Sequence, residues 1–86
     1  MAAPVRLLYF AWVRERIGTG TEELEIAAPM PIATLLDLLR PRSAGHAAAL
    51  ADTGRIRVAL NQEFVGWDAE IGPGDELALF PPVTGG

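Results

Sequence analysis

Pro31-Ile32-Ala33-Thr34-Leu35-Leu36-Asp37-Leu38-Leu39-Arg40 decides the fold, because it is the clearest stretch written in helical period. Ile32, Leu35, Leu36 and Leu39 follow the i, i+3, i+4, i+7 spacing that lines one face of a helix. Proline at the start suits the first helical position, and Pro41 stops the run. A helix with one apolar stripe needs a surface to cover. The segments on either side supply it, since they alternate with a period of two.

Towards the N-terminus, Val5 to Ala11 is apolar except for Arg6, and its β-branched and aromatic content predicts a buried strand. Alternation puts Val5, Leu7 and Tyr9 on one face and Arg6, Leu8 and Phe10 on the other. Trp12 to Ile17 reads as a short helical turn closed by Gly18, a residue suited to a left-handed cap. Gly18-Thr19-Gly20 is not read as a phosphate loop, because no lysine follows and the next segment is a strand. That segment, Glu22 to Ala27, carries Leu24 and Ile26 on one face and is expected to pair antiparallel with the first strand.

Towards the C-terminus, Ala44 to Leu50 predicts a second, weaker helix with Ser43 as N-cap. His46 is the single histidine; without a cysteine or second histidine near it, it is expected at the surface. Arg55 to Leu60 alternates, with Ile56, Val58 and Leu60 together and Arg55, Arg57 and Ala59 opposite. Asn61-Gln62 is the expected tight turn into Glu63-Phe64-Val65. Gly72-Pro73-Gly74-Asp75 fits a type II turn. Glu76 to Phe80 is the last strand, with Leu77 and Leu79 on the helix side and Phe80 pointing away from the core. The outer face of the sheet is then expected to expose Leu8, Phe10, Ala59, Ala78 and Phe80, a patch that suits docking unless the second helix or a loop covers it. Asp75-Glu76 is open to two readings, a contact for a basic partner or turn chemistry.

Pro81-Pro82-Val83-Thr84-Gly85-Gly86 ends the sequence as an arm. Two prolines stiffen its root, and six extended residues reach about 20 Å. Glycine lacks a Cβ, so Gly85-Gly86 passes through a channel too narrow for other residues and presents a terminal carboxylate. Residues 1–80 thus make one domain and residues 81–86 a flexible tail.

Composition narrows the function. Eighty-six residues, half of them hydrophobic, hold a single core. There is no cysteine, so a thiol nucleophile, a persulfide carrier and a thiolate metal site are excluded. There is no lysine, so the chain cannot accept an isopeptide bond on a side-chain amine. A net charge of −4 with seven scattered arginines argues against nucleic acid as a partner. No signal peptide or membrane-length apolar run is read, so a cytoplasmic location is expected. Eleven acidic residues include no pair spaced for acid–base catalysis.

The order strand, short turn, strand, helix, strands and Gly-Gly tail resembles the ubiquitin-like β-grasp fold, an α+β architecture with a mixed sheet of four to five strands on one main helix. More specifically, Leu7-Leu8-Tyr9-Phe10-Ala11, Val13-Arg14-Glu15 with Gly18-Thr19, Ala59-Leu60-Asn61-Gln62, Gly74-Asp75-Glu76-Leu77-Ala78 and Phe80 to Gly86 resemble the small subunits of molybdopterin synthase, the MoaD family. The resemblance implies a sulfur carrier for molybdenum cofactor synthesis. Gly86 would be adenylated by a ubiquitin-activating-type (MoeB-like) adenylyltransferase using ATP. A sulfur donor would convert it to a thiocarboxylate, and the sulfur would pass to cyclic pyranopterin monophosphate inside a MoaE-like large subunit, in a heterotetramer. On this reading the chain binds no cofactor or metal itself and is a non-catalytic subunit. Phe80, Phe10, Leu8 and Ala78 would bind partners, and Pro81, Pro82, Val83, Thr84 and Gly85 would carry Gly86 to them. The alternatives are a carrier for thiamine synthesis or tRNA thiolation, a ubiquitin-like protein modifier, or an inert binding module whose tail has no chemistry.

Overall fold

The structure, a computed structural model, describes residues 3–82; the tail residues Val83, Thr84, Gly85 and Gly86 lie outside the described residues. Five strands form one mixed sheet: β1 (Val5–Tyr9), β2 (Thr21–Leu24), β4 (Arg57–Leu60), β5 (Glu63–Val65) and β7 (Glu76–Phe80), in the order β2-β1-β7-β4-β5. The central pair β1 and β7 is parallel, and the other neighbours run antiparallel. Two short strands, β3 (Met30–Pro31) and β6 (Glu70–Ile71), make a separate antiparallel pair.

Alternation decides which face of the sheet is buried. Val5, Leu7 and Tyr9 of β1 and Leu77 and Leu79 of β7 are sealed from solvent. Against them packs α2 (Ile32–Leu39), whose four periodic residues Ile32, Leu35, Leu36 and Leu39 are fully buried. Each such side chain contributes about 1.5–3 kcal/mol through removal from water. The helix starts without a side-chain cap. Backbone carbonyls satisfy its first donors instead, with Ala69 accepting from Ile32 N (2.9 Å) and Trp67 from Ala33 N (3.0 Å).

The expected short helix is α1 (Ala11–Ile17), closed by Gly18 at φ 98°. Ala11 takes φ 53°, a left-handed conformation uncommon outside glycine, which turns the chain sharply from β1 into α1. The second helix is α3 (Ala44–Ala49), with Ser43 Oγ accepting from His46 N. Its one glycine is needed: a Cβ on Gly45 would stand 2.1 Å from the Arg16 carbonyl oxygen, so α1 and α3 touch backbone to backbone there.

Three expectations need correction. His46 is not at the surface; it is 5% exposed and sits between α3 and the β1–β2 pair. Its Nε2 lies 2.5 Å from Glu22 Oε1, its Nδ1 lies 2.7 Å from Ser43 Oγ, and its ring meets Tyr9 edge-on at 6.3 Å. A buried imidazole needs partners on both nitrogens, and those partners come from segments distant in sequence. The strand expected over Glu22 to Ala27 ends at Leu24, because Leu24 pairs with Val5, where β1 begins. The strand expected from Arg55 begins at Arg57, since Asp52 Oδ1 accepts from Gly54 N and winds Thr53–Arg55 into a 3₁₀ turn.

Both predicted turns form. Asn61 (φ 50°) and Gln62 (φ 72°) are both left-handed, as a two-residue hairpin of type I′ requires. Gly74 takes φ 86° and Asp75 N donates to Gly72 O (3.1 Å), as a type II turn requires. No helix among the described residues is long and apolar enough to cross a membrane.

Candidate functional site: the outer sheet face

Register turns the outer-face residues into a row. Leu8 pairs with Ala78, Ala78 with Ala59, and Ala59 with Phe64, so these four side chains run across β1, β7, β4 and β5 on the side away from α2. One step along, Phe80 pairs with Arg57. Phe64 is 81% exposed and its ring centroid lies 5.7 Å from that of Phe80. The two rings, with Arg57, Val58 and Val65, line a groove of about 260 Å³.

The expected patch residues stand as follows. Leu8, Ala78 and Phe80 are half-buried on this face, and Phe10 is 49% exposed where the chain leaves β1. Ala59 departs from expectation, being only 8% exposed: its small side chain lies between its register neighbours Ala78 and Phe64. Phe64 is the residue that sequence reading missed. Its strand is three residues long, too short for alternation to assign a face, and the pairing with Ala59 settles it. An exposed phenylalanine in tilted contact with a second one is the kind of apolar surface that marks docking.

The expected arm would start at the end of this face. β7 ends at Phe80, and Pro81 and Pro82 continue half-buried without strand pairing. The lower end of β7 is fixed by Asn61. Asn61 N donates to Glu76 O (2.8 Å), Glu76 N donates to Asn61 Oδ1 (3.0 Å), and Asn61 Nδ2 donates to Asp75 Oδ1 (3.2 Å). Asp75 Oδ2 also accepts from Gly72 N (2.8 Å). Of the two readings of Asp75, turn chemistry is the one the structure bears out.

A second polar constellation lies across the sheet edge. Tyr9 Oη donates to Glu22 Oε1 (2.7 Å), the same oxygen that faces His46, while Arg42 Nη2 stands 3.7 Å from Glu22 Oε2. Burial alone would raise the Glu22 carboxyl; the hydrogen bonds from His46 and Tyr9, helped by the charges of His46 and Arg42, outweigh it and hold the carboxyl below its ordinary range. Burial and the Glu22 hydrogen bond push the Tyr9 phenol up. No buried side-chain polar atom among the described residues lacks a partner. The cluster therefore reads as a fastening of α3 to β1 and β2. The described residues contain no group of three or more metal-ligating side chains.

The family model described as ThiS family matches residues 7–86 of this sequence. The chain belongs to the ThiS family. Within the family its relatives are molybdopterin synthase sulfur carrier subunits, as the resemblance implied. The protein of that name from Escherichia coli is 42% identical over 83 residues, covering 95% of this chain and 99% of the relative. Among solved structures, the putative molybdopterin converting factor, subunit 1, from Pyrococcus furiosus superposes with a TM-score of 0.78 at 28% identity, covering 95% of this chain and 100% of that one. Small archaeal modifier protein 1 from Haloferax volcanii gives 0.73 at 31% identity, covering 94% and 99%. The family fold is ubiquitin-like, and the outer face and arm root described above are the surface this member presents.

Proposed function

We propose that this chain is the sulfur carrier of a molybdopterin synthase, with the Gly86 carboxylate as the site that is activated and loaded. The observation that carries the reading is geometric: the strand that ends on the phenylalanine-bearing face, β7, runs directly into Pro81-Pro82. A partner that docks on Phe80 and Phe64 therefore has the root of the arm at the edge of its contact. The family match running through residue 86 and the near full-length similarity to the Escherichia coli carrier support it.

The chemistry asks little of this chain's side chains. In the adenylyltransferase, a carboxylate oxygen of Gly86 attacks the α-phosphorus of ATP and pyrophosphate leaves. A sulfur nucleophile then attacks the acyl carbon, AMP leaves, and a thiocarboxylate remains. In the large subunit that sulfur passes to cyclic pyranopterin monophosphate, and two deliveries build the dithiolene. Each step needs an unobstructed carbonyl, which Gly85 and Gly86 provide, and a docking face that holds the arm in register. ATP binds the partner, and the working complex is a heterotetramer with a large-subunit dimer.

A second reading has a specific observation behind it, the similarity to small archaeal modifier protein 1. A modifier would join the activated Gly86 to an amine of another protein. Carriers for thiamine synthesis or tRNA thiolation share the first two steps. Incubation with ATP, an adenylyltransferase and a sulfur donor, read by intact mass, separates the classes. Oxygen-to-sulfur exchange on the terminal residue is the expected result, and adducts with other proteins would favour the modifier. Conversion of the pyranopterin by the thiolated chain plus large subunit then tests the pathway. Exchange without conversion would overturn molybdopterin synthesis and leave another thiolation.

A further inference from the structure

The chain holds one serine and one histidine, and they stand three residues apart at the start of α3. Ser43 Oγ lies 2.7 Å from His46 Nδ1, and His46 Nε2 lies 2.5 Å from Glu22 Oε1. A hydroxyl, an imidazole and a carboxylate therefore follow one another within hydrogen-bond reach. That arrangement activates a nucleophile, because a base can take its proton while a third group orients the base. The carboxylate arrives from β2, 24 residues away in sequence.

The proton positions follow from the carboxylate. Tyr9 Oη donates to Glu22 Oε1 (2.7 Å), Arg42 Nη2 stands 3.7 Å from Oε2, and the carboxyl is held below its ordinary range, so ionised Glu22 only accepts. His46 Nε2 must then carry the proton it donates, and in the neutral ring Nδ1 is the bare nitrogen. Ser43 Oγ–H is left to donate to Nδ1. The same oxygen accepts from His46 N (3.1 Å), which uses one of its two lone pairs. The second lone pair remains for attack. Access falls along the series: Ser43 is exposed, whereas the side chains of His46 and Glu22 are 7% and 18% exposed. The contacts that fasten α3 to the sheet therefore also ready an exposed hydroxyl.

We propose that Ser43 is an acyl-accepting nucleophile that takes the acyl group of small activated esters, with His46 as its general base and Glu22 as the group that orients the base. Ser43 Oγ attacks the acyl carbon while His46 Nδ1 takes the hydroxyl proton. The Oγ–carbon bond forms, the bond from the acyl carbon to the leaving oxygen breaks, and that oxygen departs with the electron pair. Glu22, bonded to Nε2–H, offsets the charge of the imidazolium. The proton on Nδ1 then passes to the leaving oxygen, and an ester remains on Ser43. The chain has no cysteine or lysine side chain to compete for the acyl group. The next residues, Ala44 and Gly45, carry little or no side chain to obstruct a small ester.

The test is acetylation of the full folded chain by p-nitrophenyl acetate, with p-nitrophenolate release followed by absorbance and the acetyl group located by peptide mass. Ser43 is expected to acetylate about a hundredfold faster in the folded chain than in the same chain unfolded in urea, the lower end of what a positioned base contributes. Equal rates, or acetylation confined to other residues, would overturn the proposal. Ser43→Ala is expected to abolish the fast phase, and a fast phase that survives it would also overturn the proposal. His46→Gln, once a thermal melt verifies folding, is expected to bring Ser43 down to the unfolded-chain rate; an unchanged rate would remove His46 as the base. Where that variant fails to fold, the folded and unfolded wild-type rates still decide. The role of Glu22 is read separately by NMR of the ring nitrogens, at a pH where His46 is neutral. The proton is expected on Nε2 in wild type and shared between both nitrogens in Glu22→Gln. A proton on Nδ1 in wild type would leave Ser43 without a base and sink the proposal, and tautomers unchanged in Glu22→Gln would remove Glu22 from it.

Discussion

At the scale of single residues, Gly45 shows how one missing atom sets a helix contact. Alanine is the better helix former by about 1 kcal/mol, so propensity alone would favour Gly45→Ala. The Arg16 carbonyl 2.1 Å from the added Cβ opposes it, and backbone cannot swing aside as a flexible side chain does. The overlap wins, with an expected net loss of about 1–3 kcal/mol. In a domain of this size a thermal melt should fall by several degrees per kcal/mol; an unchanged melting temperature would mean α1 and α3 separate at little cost. Glu22 makes the matching electrostatic prediction. Its folded carboxyl titrates below the ordinary 4.5, so the stability it adds is present above that value and is lost as pH falls through the folded one. The difference in melting temperature between wild type and Glu22→Gln should therefore shrink steadily below about pH 4.5. A constant difference down to acid pH would show that the ionised carboxylate is not what His46 and Tyr9 hold.

At the scale of elements, two turns are coupled through one asparagine. Asn61 and Gln62 adopt left-handed conformations that turn β4 into β5, and the same Asn61 bonds Asp75 and Glu76 at the start of β7. Asn61→Ala removes the side-chain acceptor for Glu76 N and puts alanine at φ 50°. The expected cost is about 1–3 kcal/mol, from two lost hydrogen bonds and the backbone conformation. Hydrogen exchange should localise the loosening to the Glu76 end of β7; exchange unchanged there would separate the two turns. Much at this scale was legible beforehand. The stripe of α2, the Ser43 cap, the Gly18 stop and both turns depend on neighbours within a few positions, and each formed as read. The ends of β2 and β4 were not legible, because a strand stops where its partner stops and pairing is not a local property.

At the scale of the whole molecule, the sheet divides stability from recognition. One face is sealed by α2, and the other carries Phe64 and Phe80 beside the arm's root. Phe80→Ala should therefore lower partner affinity by tenfold or more while shifting the melting temperature by only a few degrees, because the ring lies outside the buried core. Leu36→Ala, on the sealed side, should do the reverse and cost about 2–5 kcal/mol of stability. A large melting loss from Phe80→Ala would mean that the outer face is part of the core.

By itself, the sequence determined the order of the five main-sheet strands and of the helices between them, the inward face of β1 and β7, and the turns; these are written in periodicity and in residues with restricted or unusual backbone freedom. Only the tertiary structure decided that Phe64 joins Phe80, that His46 is buried against Glu22 and Tyr9, and that arginines from α1 and from the approach to β4 converge on Trp12. The reason is the same in each case. Strand pairing and helix packing set side chains beside partners from remote parts of the chain, and no local pattern records which partners those are.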